Sequence, residues 1–170
     1  MPYLKKIIFV SLILTFTLLA GCFQSEEEVM REAEKIIKAE FLSKEKVDTN
    51  YETTGFNLYK PEELAIEEEE KNTIVFNNGD RSYVLFINEF EPPNSQWSYD
   101  RLKNNNQDIF LRTFQSEEQF AYLGIIEHED NQYEIQLGIG GIKMSTLSNI
   151  DSLVSDVDMM MQIVKSVEKK

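Results

Sequence analysis

The C-terminal part of the chain carries its most regular pattern of apolar positions. These positions recur at intervals of three and four residues and are Ile150, Leu153, Val154, Val157, Met160, Met161, Val164 and Val167. The spacing places one apolar stripe along an α-helix, so it predicts a helix over about 150–167. Asn149 or Ser148 is expected to cap the start of this helix. Lys165, Lys169 and Lys170 are expected to complement the partial negative charge at its end.

A second helical pattern lies near the N-terminus. Its apolar positions are Val29, Ala33, Ile36, Ile37 and Phe41. Ser25 and Glu28 stand three residues apart, as in a capping box, where each side chain accepts a hydrogen bond from the other residue's backbone N–H. The acids at 26–28 also suit the positive end of a helix dipole. The pattern predicts a helix from about residue 26 to residue 44.

Between the two helical patterns, segments rich in β-branched and aromatic residues predict strands. The predicted strands are 56–59, 64–68, 73–76, 82–90, 109–114, 120–128 and 132–138. The last strand is expected to run on to about Leu147, with a bulge or sharp bend at Gly140 and Gly141. A loop is expected at 91–95, and a short helix within 96–106.

Two short polar segments predict hairpins. Asn77-Asn78-Gly79-Asp80 contains Asn-Gly, which tolerates positive φ at both central positions of a tight turn. Glu129-Asp130-Asn131 separates the next pair of predicted strands in the same way. Successive hairpins indicate an antiparallel sheet.

The predicted order of elements is helix, strands, helix. Each amphipathic helix has to bury its apolar stripe, and an antiparallel sheet offers a surface for it. The sequence therefore predicts an α+β fold, an antiparallel sheet of about 5–7 strands flanked by an N-terminal and a C-terminal amphipathic helix. We expect the C-terminal helix to lie across the sheet. A chain of 170 residues suffices for one core and a targeting segment, so we expect a single domain over 25–170.

The first residues have the pattern of a secretory signal peptide. Lys5 and Lys6 precede a segment, 7–20, that is apolar apart from Ser11, Thr15 and Thr17. An uncleaved membrane anchor is the alternative interpretation. Fourteen helical residues reach about 21 Å, which is short of a hydrocarbon core about 30 Å thick. The segment 1–21 is therefore predicted to be removed.

Leu19-Ala20-Gly21-Cys22 resembles the lipobox of bacterial lipoproteins. The resemblance implies that the Cys22 thiol receives a diacylglyceryl group and that cleavage makes Cys22 the new N-terminus, with 22–24 the lipidated start of the mature chain. The implied location is the outer face of the cytoplasmic membrane, with the lipid bilayer as partner through acylated Cys22. Acyl chains contribute roughly 0.8 kcal/mol per buried CH₂, and two or more chains attach a protein stably. The alternative is a chance cysteine after an apolar segment.

Two further resemblances concern the folded part. The pair Tyr122-Leu123-Gly124 and Tyr133-Glu134-Ile135, followed by the C-terminal helix, resembles small extracytoplasmic domains of unknown function in Gram-positive lipoproteins and anti-sigma-factor regulators. Phe56-Asn57-Leu58-Tyr59-Lys60-Pro61 resembles the opening strand of PsbP/Mog1-like domains. These resemblances bear on the fold and imply no functional residue.

The net charge narrows the choice of partners. The chain has 17 basic and 30 acidic side chains, a formal charge of −13. Because Lys5 and Lys6 are the only charged residues before Cys22, removal of 1–21 leaves a charge of about −15. Nucleic-acid binding and electrostatic adhesion to anionic lipid both need basic surfaces, so we expect neither. A single cysteine excludes an internal disulfide.

Candidate catalytic residues are few. His128 is the only histidine and lies between Glu127 and Glu129 beside a predicted hairpin turn. A Ser-His-Asp set would have to use it, but no Gly-x-Ser-x-Gly elbow is present. We therefore expect an exposed histidine in an acidic surrounding. A catalytic Cys-His pair is excluded if Cys22 is acylated, because the thiol is then consumed. A structural zinc site needs several His or Cys ligands, so we expect none.

Two acidic runs and a glycine cluster are open to a functional interpretation. The acidic runs are Glu67–Glu70 and Glu26–Glu28. Each is either a loose site for a hard cation such as Ca²⁺ or a solvated edge or turn of the fold. The absence of a calcium-binding loop pattern favours the solvated edge or turn. Gly138-Ile139-Gly140-Gly141 departs from the dinucleotide-binding pattern, whose third glycine would fall at Lys143. We expect no catalytic residue, no cofactor and no metal ligand.

Apolar side chains provide the remaining candidates for binding. Met144 and Met159–Met161 form either an adaptable binding face or part of the core. Met160 and Met161 fall on the apolar stripe of the predicted helix, which favours the core. Trp97, Tyr99 and Pro92-Pro93 are expected in one loop that either contacts a partner or packs on the domain edge.

Three functions are consistent with these features. The first is a non-catalytic binding or accessory lipoprotein with a protein partner of the cell envelope. The second is a carrier that encloses a lipid or small ligand between sheet and helix. The third is an envelope hydrolase built on two carboxylates.

Overall fold

A computed structural model describes residues 25–105 and 110–170. The helices are α1 (Glu26–Leu42), α2 (Trp97–Asn105) and α3 (Leu153–Ser166). The strands are β1 (Tyr51–Glu52), β2 (Phe56–Leu58), β3 (Ala65–Glu69), β4 (Thr73–Asn77), β5 (Ser82–Ile87), β6 (Phe110–Gln115), β7 (Phe120–Glu127), β8 (Gln132–Ile139), β9 (Ile142–Asn149) and β10 (Glu168–Lys169). A 3₁₀ turn, Glu129–Asn131, joins β7 to β8.

Seven strands form one antiparallel sheet in the order β3-β4-β5-β9-β8-β7-β6. The short strands β1, β2 and β10 form a second antiparallel sheet with β2 at its centre. The prediction of an α+β fold with an antiparallel sheet and two flanking amphipathic helices is confirmed.

Helices α1 and α3 pack side by side on one face of the large sheet. Val157, Met160 and Val164 of α3 are fully buried there, as are Ala33 and Ile37 of α1. The sheet meets them with alternate residues of β4, β5, β7, β8 and β9, the pattern expected of strands with one face on the core. Each large apolar side chain buried in this way stabilises the fold by about 1.5–3 kcal/mol.

The two helices run in the same direction. Lys165 near the end of α3 lies 3.1 Å (Nζ to Oε2) from Glu40 near the end of α1. At the other end, Glu26 at the start of α1 lies beside Tyr133, whose pKa is raised by burial and by that carboxylate. One edge of the domain contains the first turns of α1 and α3, together with the segments 78–81, 128–131 and 149–152. We call it the start end. The opposite edge, which we call the finish end, contains the last turns of both helices, together with the segments 70–72, 88–95, 116–119 and 140–141.

The second face of the large sheet is only partly covered. Helix α2 lies over β6 and β7, where Leu102 packs with Phe120 and Tyr122. The Tyr99 ring meets the Phe120 ring edge to face at 5.3 Å between centroids. Trp97 and Tyr99 therefore lie in the short helix predicted within 96–106, and their placement in one loop with Pro92 and Pro93 was wrong.

The glycine pair after β8 makes a full chain reversal. The prediction of a strand that runs on to about Leu147 past a bulge or bend at Gly140 and Gly141 was wrong, because β8 ends at Ile139 and β9 pairs back along it from Ile142. Gly140 adopts φ +54°, which an L side chain rarely adopts. A Cβ on Gly140 would lie 2.5 Å from the Pro92 carbonyl oxygen. The absence of a side chain at Gly140 therefore allows the loop 88–95 to pack directly on the backbone of this turn.

The hairpin between β4 and β5 is wider than predicted. Asn77 pairs with Ser82, which leaves a four-residue loop in which Gly79 alone has positive φ. The Asn77 side chain accepts a hydrogen bond from the Gly79 N–H, and Asn78 accepts one from the Arg81 N–H. These side-chain turns replace the tight Asn-Gly turn. The second predicted hairpin, around 129–131, is confirmed.

The start of the N-terminal helix α1 agrees with the prediction from the sequence, and the start of the C-terminal helix α3 differs from it. Both halves of the Ser25–Glu28 capping box are present. Helix α3 starts at Leu153 instead of about 150, because Asn149 accepts a bond from the Ser152 N–H in a preceding turn. Ser152 is the capping residue, so the predicted caps were wrong.

Gly140→Ala is expected to destabilise the domain by about 2 kcal/mol, because it adds backbone strain and a collision with the 88–95 loop. Gly79→Ala is the matched control. It has the same sign of φ, but no heavy atom lies within 4 Å of its added Cβ. Strain alone predicts a loss of about 1 kcal/mol there. Urea unfolding of both variants measures the difference, and equal losses would contradict the packing of loop 88–95 on the turn.

Candidate functional site

A groove of about 470 Å³ lies at the finish end. Its walls are the last turns of α1 and α3, the segment 43–47 after α1, the loop 88–95 and the β8–β9 turn. Small-molecule sites in proteins have volumes of about 300–1,000 Å³, so the groove is large enough to hold a ligand. We take it as the candidate binding site.

The floor of the groove is apolar. Phe41, Ile139, Ile142 and Val164 line it, and each projects from the end of a helix or strand. Gly141 allows the opposite wall to come close, since a Cβ at this position would lie 2.6 Å from the Asn88 carbonyl oxygen. The groove therefore forms because α1, α3 and the β8–β9 hairpin all end at the same level of the fold.

The rim of the groove is charged. Lys165 pairs with Glu40, and Lys46 lies 3.9 Å (Nζ to Oε1) from Glu168. The Lys169 ammonium donates to the backbone carbonyls of Asn88 and Glu91, each at 3.3 Å. An apolar floor beneath ammonium and carboxylate groups suits an amphipathic ligand, one with an apolar body and polar ends.

A buried polar cluster lies at the start end. The Asp156 carboxylate, with 5% of its side chain exposed, accepts from Arg81 Nη1 at 2.7 Å. It also accepts from the Tyr83 hydroxyl at 2.8 Å and from the Ser148 hydroxyl. Burial and the adjacent Asp156 carboxylate raise the pKa of Tyr83, so its hydroxyl stays protonated and donates. The cluster joins the first turn of α3 to β5, β9 and the 78–81 loop.

The other residues that the sequence singled out lie apart from the groove. His128 is half-exposed at the start end, with Nε2 at 3.3 Å from Glu134 Oε2. Glu67, Glu68 and Glu69 are exposed on β3, an outer strand of the large sheet, as the edge interpretation predicted. In 25–105 and 110–170, no three His, Cys, Asp or Glu side chains are grouped to hold a metal ion.

The methionines belong to the core. Met144, Met160 and Met161 are at most 1% exposed and pack within the cluster between sheet and helices, which confirms the core interpretation. The predicted lipidation residue Cys22 and its flank Leu19, Ala20 and Gly21 lie outside the described residues.

Sequence reasoning missed the groove and the Asp156 cluster. The groove residues come from distant parts of the chain and share no local pattern. Asp156 did leave a signal, since it lies three residues after Leu153 and four before Met160, on the apolar side of α3. An acid at such a position needs buried partners.

None of the helices in the described ranges is both long and apolar enough to cross a membrane. Neither the protein-family models nor the curated proteins with which the sequence was compared give a match.

Proposed function

We propose that this chain is a lipoprotein attached by acylated Cys22 to the outer face of the cytoplasmic membrane, where its domain acts as a non-catalytic binding or accessory module. The sequence Leu19-Ala20-Gly21-Cys22 supports the attachment. The observation that carries the binding role is the groove of about 470 Å³ at the finish end.

The contacts of the groove favour binding over hydrolysis. A carboxylate-based hydrolase needs two carboxyl groups facing each other across the scissile bond. In the groove, the Glu40 and Glu168 carboxylates instead face Lys165 and Lys46, and Glu91 accepts a hydrogen bond from the Ser95 hydroxyl. Glu45 is the fourth carboxylate of the lining. Ammonium and carboxylate groups arranged in this way orient a ligand and hold the rim together.

The groove also bears on the alternative of a small-ligand carrier. Its volume exceeds about 300 Å³, the lower bound for such sites. The layer between sheet and helices is filled by side chains such as Met144, Met160 and Met161. A carried ligand would therefore lie in the groove, between apolar floor and charged rim, and not in the interior.

Photocrosslinking in intact cells tests the binding role. A benzophenone amino acid at Val47, which lines the groove, is expected to form adducts with a protein partner or a small ligand that mass spectrometry then identifies. The same amino acid at Glu68, which is exposed on the outer strand β3, is the control and is expected to form few. Equal adduct formation at both positions, or none at Val47 in several growth states, would contradict the proposal.

A further inference from the structure

The direction of α1 fixes where the chain enters the domain relative to the groove. Cys22 precedes Glu26 by four residues, which span at most about 14 Å in any conformation. Helix α1 has 17 residues and is therefore about 25 Å long. Its first turn lies at the start end, and Phe41 in its last turn lines the groove. The point at which the chain enters α1 and the groove are thus at opposite ends of that helix.

The start end is also rich in exposed acids. Its exposed acids are Glu26, Glu27, Glu28, Asp80, Glu127, Glu129, Asp130 and Asp151. The neighbouring guanidinium groups are already engaged, because Arg81 bonds Asp156 and Arg31 pairs with Glu27. At the finish end, by contrast, lysines alternate with acids in ion pairs that include Lys71–Glu89 and Lys170–Glu52.

We propose that the start end faces the bilayer in the anchored protein and that the groove opens away from it, toward the aqueous side. This orientation rests on the proposed lipidation of Cys22. The parallel packing of α1 and α3 supports it, because the first turns of both helices lie at the edge where the chain enters the domain. The groove then takes its ligand from the aqueous side and not from the lipid of its own bilayer.

The charge of the start end makes this orientation sensitive to the lipid headgroups. An anionic surface repels exposed carboxylates over about one Debye length, which is about 30 Å at 0.01 M salt and about 8 Å at 0.15 M. The domain therefore stands farther from an anionic bilayer at low salt than at physiological salt. A bilayer of zwitterionic lipid has no such effect.

Fluorescence quenching in vesicles tests the orientation. Full-length lipoprotein carrying Asp151→Cys at the start end, or Lys44→Cys at the groove, is labelled on the new thiol and placed in phosphatidylcholine vesicles with nitroxide-labelled headgroups. Both positions are exposed. The acylated wild type has no free thiol and serves as the labelling control. We expect strong quenching at Asp151→Cys and several-fold weaker quenching at Lys44→Cys.

Replacing phosphatidylcholine by phosphatidylglycerol extends the test. Quenching at Asp151→Cys is expected to fall at low salt and to recover as salt is raised. Equal or stronger quenching at Lys44→Cys overturns the orientation, and salt-independent quenching in phosphatidylglycerol overturns the electrostatic part. If both variants lack acyl chains and fail to float with vesicles, the lipidation itself fails, and that result is distinct from a reversed orientation.

Discussion

Replacing Cys22 by alanine is expected to abolish lipid incorporation completely. A thiol is the only side-chain group in this segment that forms the thioether to a diacylglyceryl group, and removal of the signal peptide depends on that modification in the lipoprotein family that residues 19–22 resemble. The variant is therefore expected to accumulate as an unlabelled precursor that retains residues 1–21. Metabolic labelling with a fatty-acid analogue, followed by electrophoresis, measures both effects.

Gly21→Ala is the matched control for this prediction. It keeps a small residue before the cysteine, so labelling and cleavage are expected to match the wild type. Equal labelling of the wild type and Cys22→Ala would remove the basis of the membrane anchor.

Replacing Asp156 by alanine is expected to lower the free energy of unfolding by about 3–4 kcal/mol. Removal of one partner of a buried ion pair costs about 3–5 kcal/mol, because the other charge remains without compensation. Arg81 keeps 25% of its side chain exposed, which places the expected loss toward the lower part of that range. The Tyr83 and Ser148 hydroxyls lose an acceptor in the same step.

The free energy of unfolding in urea measures this loss. Asp158→Ala is the matched control, because Asp158 lies on the same helix, is only half-buried and bonds its neighbour Gln162. A change within about 0.5 kcal/mol is expected there. A loss below about 1 kcal/mol for Asp156→Ala would mean that the cluster does not hold α3 on the sheet.

The amphipathic helices and the hairpin strands were predictable because their patterns are local. The Ser25–Glu28 capping box sets where α1 starts, and the stripe through Val157 and Met160 determines which face of α3 is buried. Both signals can be recognised without reference to the rest of the chain. The reversal at Gly140 and Gly141 was not predictable in this way. A bulge and a turn place glycine in similar positions, and only the pairing of β8 with β9 distinguishes them.

The groove depends on long-range packing, which a single sequence does not display. Phe41, Ile142 and Lys165 become neighbours because two helices and a hairpin end at the same level of the fold. The length of α1 determines where Phe41 lies, and the close approach permitted by Gly141 determines the width of the opposite wall. The start of α3 was misplaced for a local reason, because a turn between Asn149 and Ser152 precedes the helix although its apolar pattern begins earlier.

Mass spectrometry of the N-terminal peptide of the protein purified from membranes tests the lipoprotein assignment most directly. We predict a peptide that begins at Cys22, lacks residues 1–21 and carries the mass of a diacylglyceryl group on the sulfur. A peptide in which Cys22 has an unmodified thiol and is still preceded by Gly21 would contradict the assignment.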